Sequence, residues 1–250
     1  MSIERRQFPQ FFITNPTPCP YLPGKQERKV FTHLIGQDAC QLHDMLSSGG
    51  FRRSQNIAYR PSCNDCAACV SVRVPVDEFI WTKSFDRTMK RNQDLMSEFA
   101  PAKTSIEHYS LFAQYIDSRH QSGGMSEMTV LDFSSMIDDS TVKTNLIEYR
   151  HRPKMPLADP DPQKGPLAAV ALTDTLSDGL SMIYSFFDPD IDKRSLGTFM
   201  ILDHINKAQK LGLPYVYLGF WVDASPKMSY KSRFMPQERL TEDGWETAMS

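Results

Sequence analysis

A strand, a tight turn, a helix and a second strand follow one another between residues 179 and 220, and this order constrains the fold more than any other feature. Residues 179–187 are mostly apolar and follow a Ser-Asp-Gly turn, which is typical of a strand. The helix begins near Ser195 and ends at Gly212, and residues 215–220 form an apolar strand. A strand, a helix and a strand in this order form a crossover connection within one sheet. The sequence therefore predicts a mixed sheet with helices, of the α/β or α+β class.

Shorter elements of both types precede this unit, and we assign the whole chain to the α+β class. We predict an N-terminal domain over residues 1–83 and a C-terminal domain over residues 84–250. Strands are predicted where apolar residues alternate, and helices where they recur at helical spacing. The predicted strands cover residues 8–14, 29–34, 70–75, 145–150 and 167–173. The predicted helices cover residues 38–47, 84–99 and 130–137, with a further helix from residue 104 and a Pro-rich loop over residues 153–166.

The composition is that of a globular protein without a strongly basic surface. The chain has 28 Lys and Arg residues against 30 Asp and Glu residues, and its net charge is −2. A nucleic-acid ligand would therefore need a local cluster of cations. No run of 18 apolar residues is present, and the first residues lack the apolar segment of a signal peptide. We expect a cytoplasmic protein that makes no use of a membrane.

Four of the five cysteines are spaced like the ligands of a metal ion or an iron–sulfur cluster. Three lie in a C-x-x-C-x-x-C segment and one lies upstream in a Pro-Cys-Pro-Tyr turn, which favours a bound cofactor over disulfides in a reducing compartment. The alternative is that the thiols pack as small apolar groups, as we expect for Cys40. Zinc and an iron–sulfur cluster both accept four thiolates, so either fits the spacing. The predicted ligands are Cys19, Cys63, Cys66 and Cys69.

The turn that opens the crossover helix is suited to binding an anion. A helix N-terminus presents free backbone N–H groups and the positive end of the helix dipole, which makes Gly197 a candidate binding residue. The alternative is an ordinary strand-to-helix turn. Arg194 and Gly197 fit the Arg/Gln-x-x-Gly-x-Gly/Ala pattern of acetyl-CoA-dependent acetyltransferases, but Phe199 replaces the last small residue. We expect this ring to obstruct a pyrophosphate, so coenzyme A is not the expected donor.

Two basic segments are candidates for binding the phosphates of a nucleic acid. Arg87, Lys90 and Arg91 share one face of a predicted helix. In the second segment Tyr230 lies among cations, and an aromatic ring beside cations can stack on a base. The alternative for both segments is a solvated surface. The cations of the second segment are Lys227, Lys231 and Arg233.

Taken together, several segments resemble one family, the aminoacyl-tRNA–protein transferases. The resemblance covers roughly residues 10 to 240, and the motifs occur in the family's order. The N-terminal motifs are Cys19-Pro-Tyr21-Leu-Pro-Gly24, Gly50-Phe-Arg52-Arg53-Ser54 with the cysteine segment, and Ser84-Phe-Asp-Arg87. The C-terminal motifs are Asp188-Pro-Asp190, Ser195-Leu-Gly197, Tyr217-Leu-Gly219-Phe220-Trp221 and Pro226-Lys-Met228-x-Tyr230-Lys231-x-x-Phe234-x-Pro236.

The resemblance implies a fold, a donor and an acceptor. Its fold is the Gcn5-related acetyltransferase type in the C-terminal domain. The compact length and the C-x-x-C-x-x-C segment are similar to the bacterial branch of aspartate/glutamate leucyltransferases. That branch transfers leucine from the acceptor end of Leu-tRNA to proteins that begin with Asp or Glu, and so marks them for degradation. In the eukaryotic branch adjacent cysteines replace part of the segment, and this chain departs from that pattern.

This reaction assigns roles to the residues singled out above. Arg52 or Arg53 would bind the acceptor's side-chain carboxylate, because an arginine fork matches a carboxylate, although phosphate contact is an alternative. The two basic segments would bind the acceptor stem. The candidate catalytic residues are Asp188, Asp190 and Tyr230, and either aspartate would orient the amine or only cap the helix.

Three other functions remain open from the residues. An arginyl-tRNA–protein transferase would use the same motifs with another donor. An acetyl-CoA-dependent N-acetyltransferase would use the crossover unit, with Phe199 as the argument against it. A zinc-ribbon adaptor for nucleic acids would explain the cysteines but would leave the crossover unit without a task.

Overall fold

A computed structural model of the chain describes residues 9–119, 127–152, 165–191 and 193–248. Its helices are α1 (Ala39–Ser48), α2 (Lys83–Arg91), α3 (Ile106–Arg119), α4 (Val130–Asp138), α5 (Leu196–Lys210) and a short 3-10 helix, η1 (Ser229–Arg233). The strands of the first part are β1 (Phe12–Ile13), β2 (Thr17–Pro18), β3 (Gln26–Glu27), β4 (Lys29–His33), β5 (Arg52–Ser54), β6 (Ile57–Pro61) and β7 (Val70–Pro75). Those that follow are β8 (Leu95–Pro101), β9 (Thr144–His151), β10 (Leu167–Thr175), β11 (Gly179–Phe187), β12 (Tyr215–Trp221), β13 (Gln237–Thr241) and β14 (Gly244–Ala248).

Eight strands form one large sheet in the order β14-β13-β7-β12-β11-β10-β9-β8. Strands β11 and β12 are parallel, and helix α5 connects them as the predicted crossover. The other neighbours in the sheet are antiparallel. Helix α5 packs on one face through Phe199, Ile201 and Ile205, whereas α3 and α4 cover the other face. This confirms the α+β class and the predicted crossover unit.

A second, four-stranded sheet has the order β1-β4-β6-β5 and is built only from N-terminal residues. Leu34 and Ala58 on one of its faces pack against Leu46 of helix α1 and against Val142. In the described residues no helix is long and apolar enough to cross a membrane.

The predicted helix over residues 84–99 is wrong in its second half. Helix α2 ends at Arg91, and the Asn92 side chain donates to the carbonyl of Thr88 within the helix and to that of Arg194 outside it. Residues 95–101 then pair with β9 as strand β8. The apolar side chains that suggested a longer helix are therefore used in a sheet, because pairing along a whole strand outweighs local propensity.

Several other differences concern the ends of the chain and the domain boundary. Strands β13 and β14 were not predicted, and the predicted first strand is reduced to Phe12–Ile13, with residue 8 outside the described part. Most of the predicted loop, residues 153–164, also lies outside the described residues. The boundary at residue 83 stays a prediction. Strand β7 precedes that boundary, yet it lies inside the large sheet between β12 and β13.

Candidate functional site

The two parallel strands of the crossover separate along their length and leave an opening in the large sheet. They pair from Gly179 opposite Tyr215 to Ser181 opposite Tyr217, which covers only the first part of each strand. The register of β12 against its other neighbour, β7, shifts between Tyr217 and Gly219. Gly219 has a φ of 76°, and a Cβ at this position would overlap the guanidinium of Arg52. The opening therefore depends on a glycine and is filled by an arginine.

Arg52 reaches this opening from strand β5 of the small sheet. Its Nη2 donates hydrogen bonds to the carbonyl oxygens of Met182 at 3.2 Å and Ile183 at 3.0 Å. Carbonyls of successive strand residues normally point in opposite directions. Here the register of β11 against β10 shifts at these residues, which is a β-bulge, and both carbonyls face the arginine. The guanidinium thus joins the two sheets at the site where the crossover strands separate.

Helix η1 contributes two side chains with opposite exposure to this region. The side chain of Lys231 is buried, with 5% of the residue exposed, and its Nζ donates to the carbonyl oxygen of Phe220. Burial, together with the smaller effect of the nearby Arg52 charge, lowers the pKa of Lys231 to about 7. Tyr230 is 43% exposed, and partial burial of its hydroxyl raises the pKa of Tyr230. A neutral phenol therefore lies beside the arginine at pH 7.

The C-terminal end of helix α3 borders the same region. The rings of Tyr115 and Phe187 meet edge to face with centroids 4.9 Å apart, and the guanidinium of Arg119 lies 5.4 Å from the Phe187 ring. Burial raises the pKa of Tyr115. Tyr115 was not predicted as a site residue, because its helical spacing indicated a core residue. Its proximity to Tyr230 is set by the tertiary fold and leaves no local sequence signal.

Arg53 occupies the opposite face of the small sheet and is not available to a substrate. It is 3% exposed, and its Nε and Nη2 bind the two carboxylate oxygens of Asp174 at 2.6 and 2.7 Å. Its remaining contacts are the backbone carbonyl of Gln55 and the hydroxyl of Thr144. The alternative role of Arg53 in binding an acceptor carboxylate does not fit this position, because its charge is already neutralised.

The two predicted catalytic aspartates form a turn just beyond β11. The Asp188 carboxylate accepts a hydrogen bond from the backbone N–H of Asp190 at 2.9 Å. Ser195 is the residue that precedes helix α5, and its side chain makes no capping hydrogen bond. Among the described residues neither aspartate donates or accepts a hydrogen bond at the first turn of α5, so the alternative that one of them caps the helix is not observed there. Both residues follow Phe187, at the end of β11 that no longer pairs with β12.

The N-terminus of α5 differs from the expectation in one respect. Phe199 is buried and packs edge to face on Tyr149 with centroids 5.7 Å apart, so its ring belongs to the core and the argument that it obstructs a pyrophosphate is wrong. Arg194 is instead held by Asp94, and this contact lowers the pKa of Asp94. A Cβ on Gly197 would make only an ordinary contact at 3.9 Å, so packing does not require a glycine there.

Most of the predicted phosphate-binding cations lie at the surface, but one does not. Arg87, Lys90 and Lys227 are exposed. Arg233 is exposed and donates to the Ser84 hydroxyl at 3.3 Å, so η1 contacts the start of helix α2 and the two basic segments adjoin. The prediction that Lys231 binds a phosphate is wrong, because a buried ammonium bound to a carbonyl cannot reach a phosphate at the surface. Arg91 is exposed and donates to the carbonyl of Lys193.

The four predicted thiol ligands come near one another. Burial, together with the smaller effects of the neighbouring thiols of Cys63, Cys19 and Cys66, raises the pKa of the Cys69 thiol to about 11. The backbones of Cys63 and Cys66 also pair in an isolated antiparallel β-bridge. Cys40 lies apart on α1, with its sulfur 3.9 Å from the Thr141 carbonyl. The donor set suits a thiophilic cofactor, although no group of three ligands in the described residues is spaced to hold a metal ion.

The comparisons with known proteins place this crossover fold and its arginine-filled opening in a class of transferases that act on aminoacyl-tRNA. The family described as "Arginine-tRNA-protein transferase, N terminus" matches residues 17–87, and "Arginine-tRNA-protein transferase, C terminus" matches residues 107–241. This chain belongs to the arginine-tRNA-protein transferase family.

Two similar relatives bear the name aspartate/glutamate leucyltransferase. The relative from Azorhizobium caulinodans is 57% identical, and the alignment covers 98% of both chains. The relative from Bradyrhizobium sp. (strain ORS 278) is 58% identical and covers 98% of this chain and 94% of the relative. Among solved structures, that of L-PGS from Bacillus licheniformis has a TM-score of 0.45 at 10% identity and covers 77% of this chain and 54% of that chain.

Proposed function

We propose that this protein transfers leucine from Leu-tRNA to the N-terminal Asp or Glu of acceptor proteins. The observation that carries the proposal is the Arg52 guanidinium in the opening between β11 and β12, on the fold of an acyltransferase family. The names of relatives at 57–58% identity support leucine as the donor group and an acidic N-terminus as the acceptor. A destabilising N-terminal leucine would mark the product for degradation in the cytoplasm.

The transfer needs positioning more than a strong base. The acceptor's α-amine forms a bond to the leucyl carbonyl carbon, the bond from that carbon to the ribose oxygen breaks, and the amine proton ends on the ribose hydroxyl. An N-terminal amine has a pKa of about 7.7–8.0, so a useful fraction is neutral near pH 7. Holding amine and ester together in an attacking geometry therefore supplies much of the rate.

Arg52 is the residue to which we assign the acceptor's side-chain carboxylate. Both of its hydrogen bonds to β11 come from Nη2, which leaves Nε and Nη1 beside Gly219 as further donors. An arginine fixed by backbone carbonyls keeps its full charge, because no carboxylate among the described residues pairs with it. Such a cation discriminates an acidic N-terminal residue from a neutral one.

Tyr230 and the two aspartates are the groups to which we assign positioning of the reacting atoms. A neutral Tyr230 hydroxyl can donate a hydrogen bond to the ribose oxygen as the ester bond breaks. Backbone N–H groups at the opening would stabilise the tetrahedral oxyanion. Asp188 and Asp190 lie beyond Phe187, where a carboxylate could orient the ammonium form of the acceptor before it loses its proton.

The acceptor stem of the tRNA would bind the adjoining basic segments of α2 and η1. Arg87, Lys90 and Arg91 follow one another on the helix, Arg233 reaches the start of that helix, and Lys227 is exposed in the segment just before η1. These cations lie on a chain of net charge −2, so the attraction of phosphate would be local to this surface. Coenzyme A is not the donor we propose, because Asp94 already neutralises Arg194 at the α5 N-terminus.

The four thiols are the proposed ligands of a zinc ion or an iron–sulfur cluster. The thiols of Cys19, Cys63 and Cys66 all lie close enough to Cys69 to raise its pKa, and four thiolates suit either cofactor. When bound, such a group would cross-link the loops of the N-terminal part. Metal and sulfide analysis of the purified protein, followed by removal with a chelator, tests this assignment.

The direct test is transfer of labelled leucine from Leu-tRNA to a peptide that begins with Asp. The expected result is incorporation of leucine into peptides that begin with Asp or Glu, and little incorporation into a matched peptide that begins with Asn. Arg-tRNA serves as the competing donor. Transfer of arginine in place of leucine would reject the proposed donor, and equal transfer to the Asn peptide would reject the proposed acceptor.

A further inference from the structure

We infer that one face of the small sheet stacks the unpaired 3′-terminal nucleotides of the aminoacyl-tRNA and guides them into the opening. This inference rests on the proposed function, since it assigns the surface that receives the donor's end. The surface, which we call the aromatic face, carries six aromatic or basic residues, Phe12, Lys29, Phe31, His33, Arg52 and Tyr59, and also Ser54, Ile57 and Pro61.

The pairing of the strands places these six residues on the same side. Phe12 of β1 lies opposite Phe31 of β4, and Phe31 lies opposite Tyr59 of β6. Tyr59 in turn lies opposite Arg52 of β5. Residues that are directly paired in antiparallel strands share a face of the sheet, so the set crosses all four strands. Its width is three inter-strand spacings of about 4.8 Å each, which suits a short single strand.

The outer end of the aromatic face is a cluster of three rings, of which Phe12 and His33 are exposed and Phe31 is half-buried. The centroids of Phe12 and Phe31 are 5.5 Å apart, and the His33 ring lies 5.9 Å from each of them. Phe12 is 44% exposed although it is apolar. Exposed aromatic rings beside one another provide the flat surfaces on which the bases of single-stranded nucleic acids stack. Such stacking is tolerant of base identity and so suits an end that is common to all tRNAs.

The inner end of the aromatic face meets the opening. The ring of Tyr59 contacts that of Phe220 on β12 with centroids 5.9 Å apart. Phe220 is the residue whose carbonyl binds Lys231, and Arg52 beside Tyr59 binds the carbonyls of β11. A strand laid along the rings would therefore deliver its last ribose, which carries the amino acid, to the proposed reaction site.

The charge of the aromatic face fits a phosphate backbone. None of the residues that these four strands place on this side is acidic, whereas Lys29 and Arg52 are basic. The Lys29 ammonium lies 5.6 Å from the Tyr59 ring and is paired at 2.8 Å with Glu27 just before the strand. Aromatic rings with a few cations are the composition of a single-stranded nucleic-acid site.

Phe11 provides a matched control within the same strand region. It is 48% exposed, as Phe12 is 44% exposed, but it points to the other side and contacts Phe51 at 5.9 Å. The experiment measures binding of Leu-tRNA, and of the same tRNA without its last three nucleotides, to the wild-type chain, Phe12→Ala and Phe11→Ala. Phe12→Trp is included as the variant that keeps a stacking surface, and circular dichroism verifies folding.

The expected result is a coupling between Phe12 and the 3′ end. Phe12→Ala should raise the Kd for full-length Leu-tRNA about tenfold, the change that corresponds to a stacking contact of about 1.4 kcal/mol. It should leave the Kd for the shortened tRNA unchanged, and Phe11→Ala should leave both unchanged. Phe12→Trp should restore wild-type binding. A 2-aminopurine base in the last three positions should also be quenched by the wild-type chain and less by Phe12→Ala.

Three results would overturn the inference. The first is an equal change in the Kd of both tRNAs, since Phe12 would then not act on the 3′ end. The second is an effect of Phe12→Ala on the KM of the acceptor peptide alone, which would assign the face to the acceptor. The third is loss of a dimer in sedimentation, which would assign it to a second copy of the chain. Coupling in a protein that transfers no leucine would refute the proposed function and leave this inference standing.

Discussion

The two faces of the small sheet are made by the same strands but do different work. Arg52 and Arg53 are adjacent, yet Arg52 enters the opening of the large sheet and Arg53 forms a buried ion pair with Asp174. Next to Arg53 on its face lie Thr32 and Ala58, which are buried, whereas the aromatic face carries the exposed rings of Phe12 and His33. The comparison teaches that neighbours on a strand serve opposite surfaces, so one pair of arginines can support the fold and the reaction separately.

The largest effect is expected from breaking the buried ion pair between Arg53 and Asp174. Arg53→Met would leave the Asp174 carboxylate buried without its partner, and the free energy of unfolding should fall by about 3–5 kcal/mol. Urea unfolding followed by circular dichroism measures this change. Arg52→Met is the control and should be much less destabilising, because no buried carboxylate loses its partner.

A double variant sharpens that result. Arg53→Met combined with Asp174→Leu removes both charges and should recover a large part of the lost stability, because two apolar side chains then replace a buried pair. If the double variant is no more stable than the single one, packing rather than the unpaired charge explains the loss.

The next effect concerns activity on the aromatic face. Arg52→Ala should lower kcat/KM for a peptide beginning with Asp by about 100-fold, since a charge-assisted contact to the acceptor carboxylate contributes about 1.5–3 kcal/mol. The rate with a peptide beginning with Asn should change much less. A uniform loss on both peptides would show that Arg52 only supports the opening, and Arg52→Lys, which keeps the charge, tests the need for the fork.

A smaller effect is expected on the pH dependence of stability, through His43 beside this ion pair. Burial lowers the pKa of His43 below 6.5, and its Nε2 lies 3.5 Å from an Asp174 oxygen, with Arg53 and Asp44 as the other nearby charges. The imidazole of His43 therefore binds a proton at a higher pH in the unfolded chain than in the folded chain. The contribution of neutral His43 to the free energy of unfolding is fully present above pH 6.5 and is lost as the pH falls through the pKa of the folded chain.

His43→Asn measures that contribution by difference. The free energy of unfolding of the variant should depend less on pH between 6.5 and 5 than that of the wild-type chain. Burial also lowers the pKa of His204 to about 4, so both proteins keep the pH dependence of that residue and only the difference between them reports on His43. Identical slopes would show that His43 does not titrate in this range.

The smallest effect separates stacking from charge neutralisation. Arg87→Ala should reduce the slope of log Kd for Leu-tRNA against log salt by about 1, because one phosphate contact is lost. Phe12→Ala should weaken binding and leave the slope unchanged. Equal slopes for wild type and Arg87→Ala would remove this residue from the phosphate-binding surface.

Sequence patterns predicted the crossover unit because its helix and strands are long and strongly periodic. The same reasoning failed at residues 95–101, where the pairing partner of β8 lies about 50 residues further on and leaves no local trace. It also grouped Arg52 with Arg53, although strand alternation places adjacent side chains on opposite faces. Lys231 and Phe199 look exposed or obstructive in sequence, and only the packing of η1 and α5 shows that both are buried.

The place of β7 in the large sheet has a consequence for how the chain folds. This strand comes early, but its contacts are made with residues 144 and 165 positions later, from Arg73 to Tyr217 and to Glu238. During synthesis both edges of β7 stay unpaired until β12 and β13 have been made, when most of the other strands of the sheet already exist. Such non-local pairing is slow and exposes apolar surface to aggregation. We therefore expect a fragment that starts after residue 83 to be insoluble by itself, and to be rescued by co-expression of the missing segment.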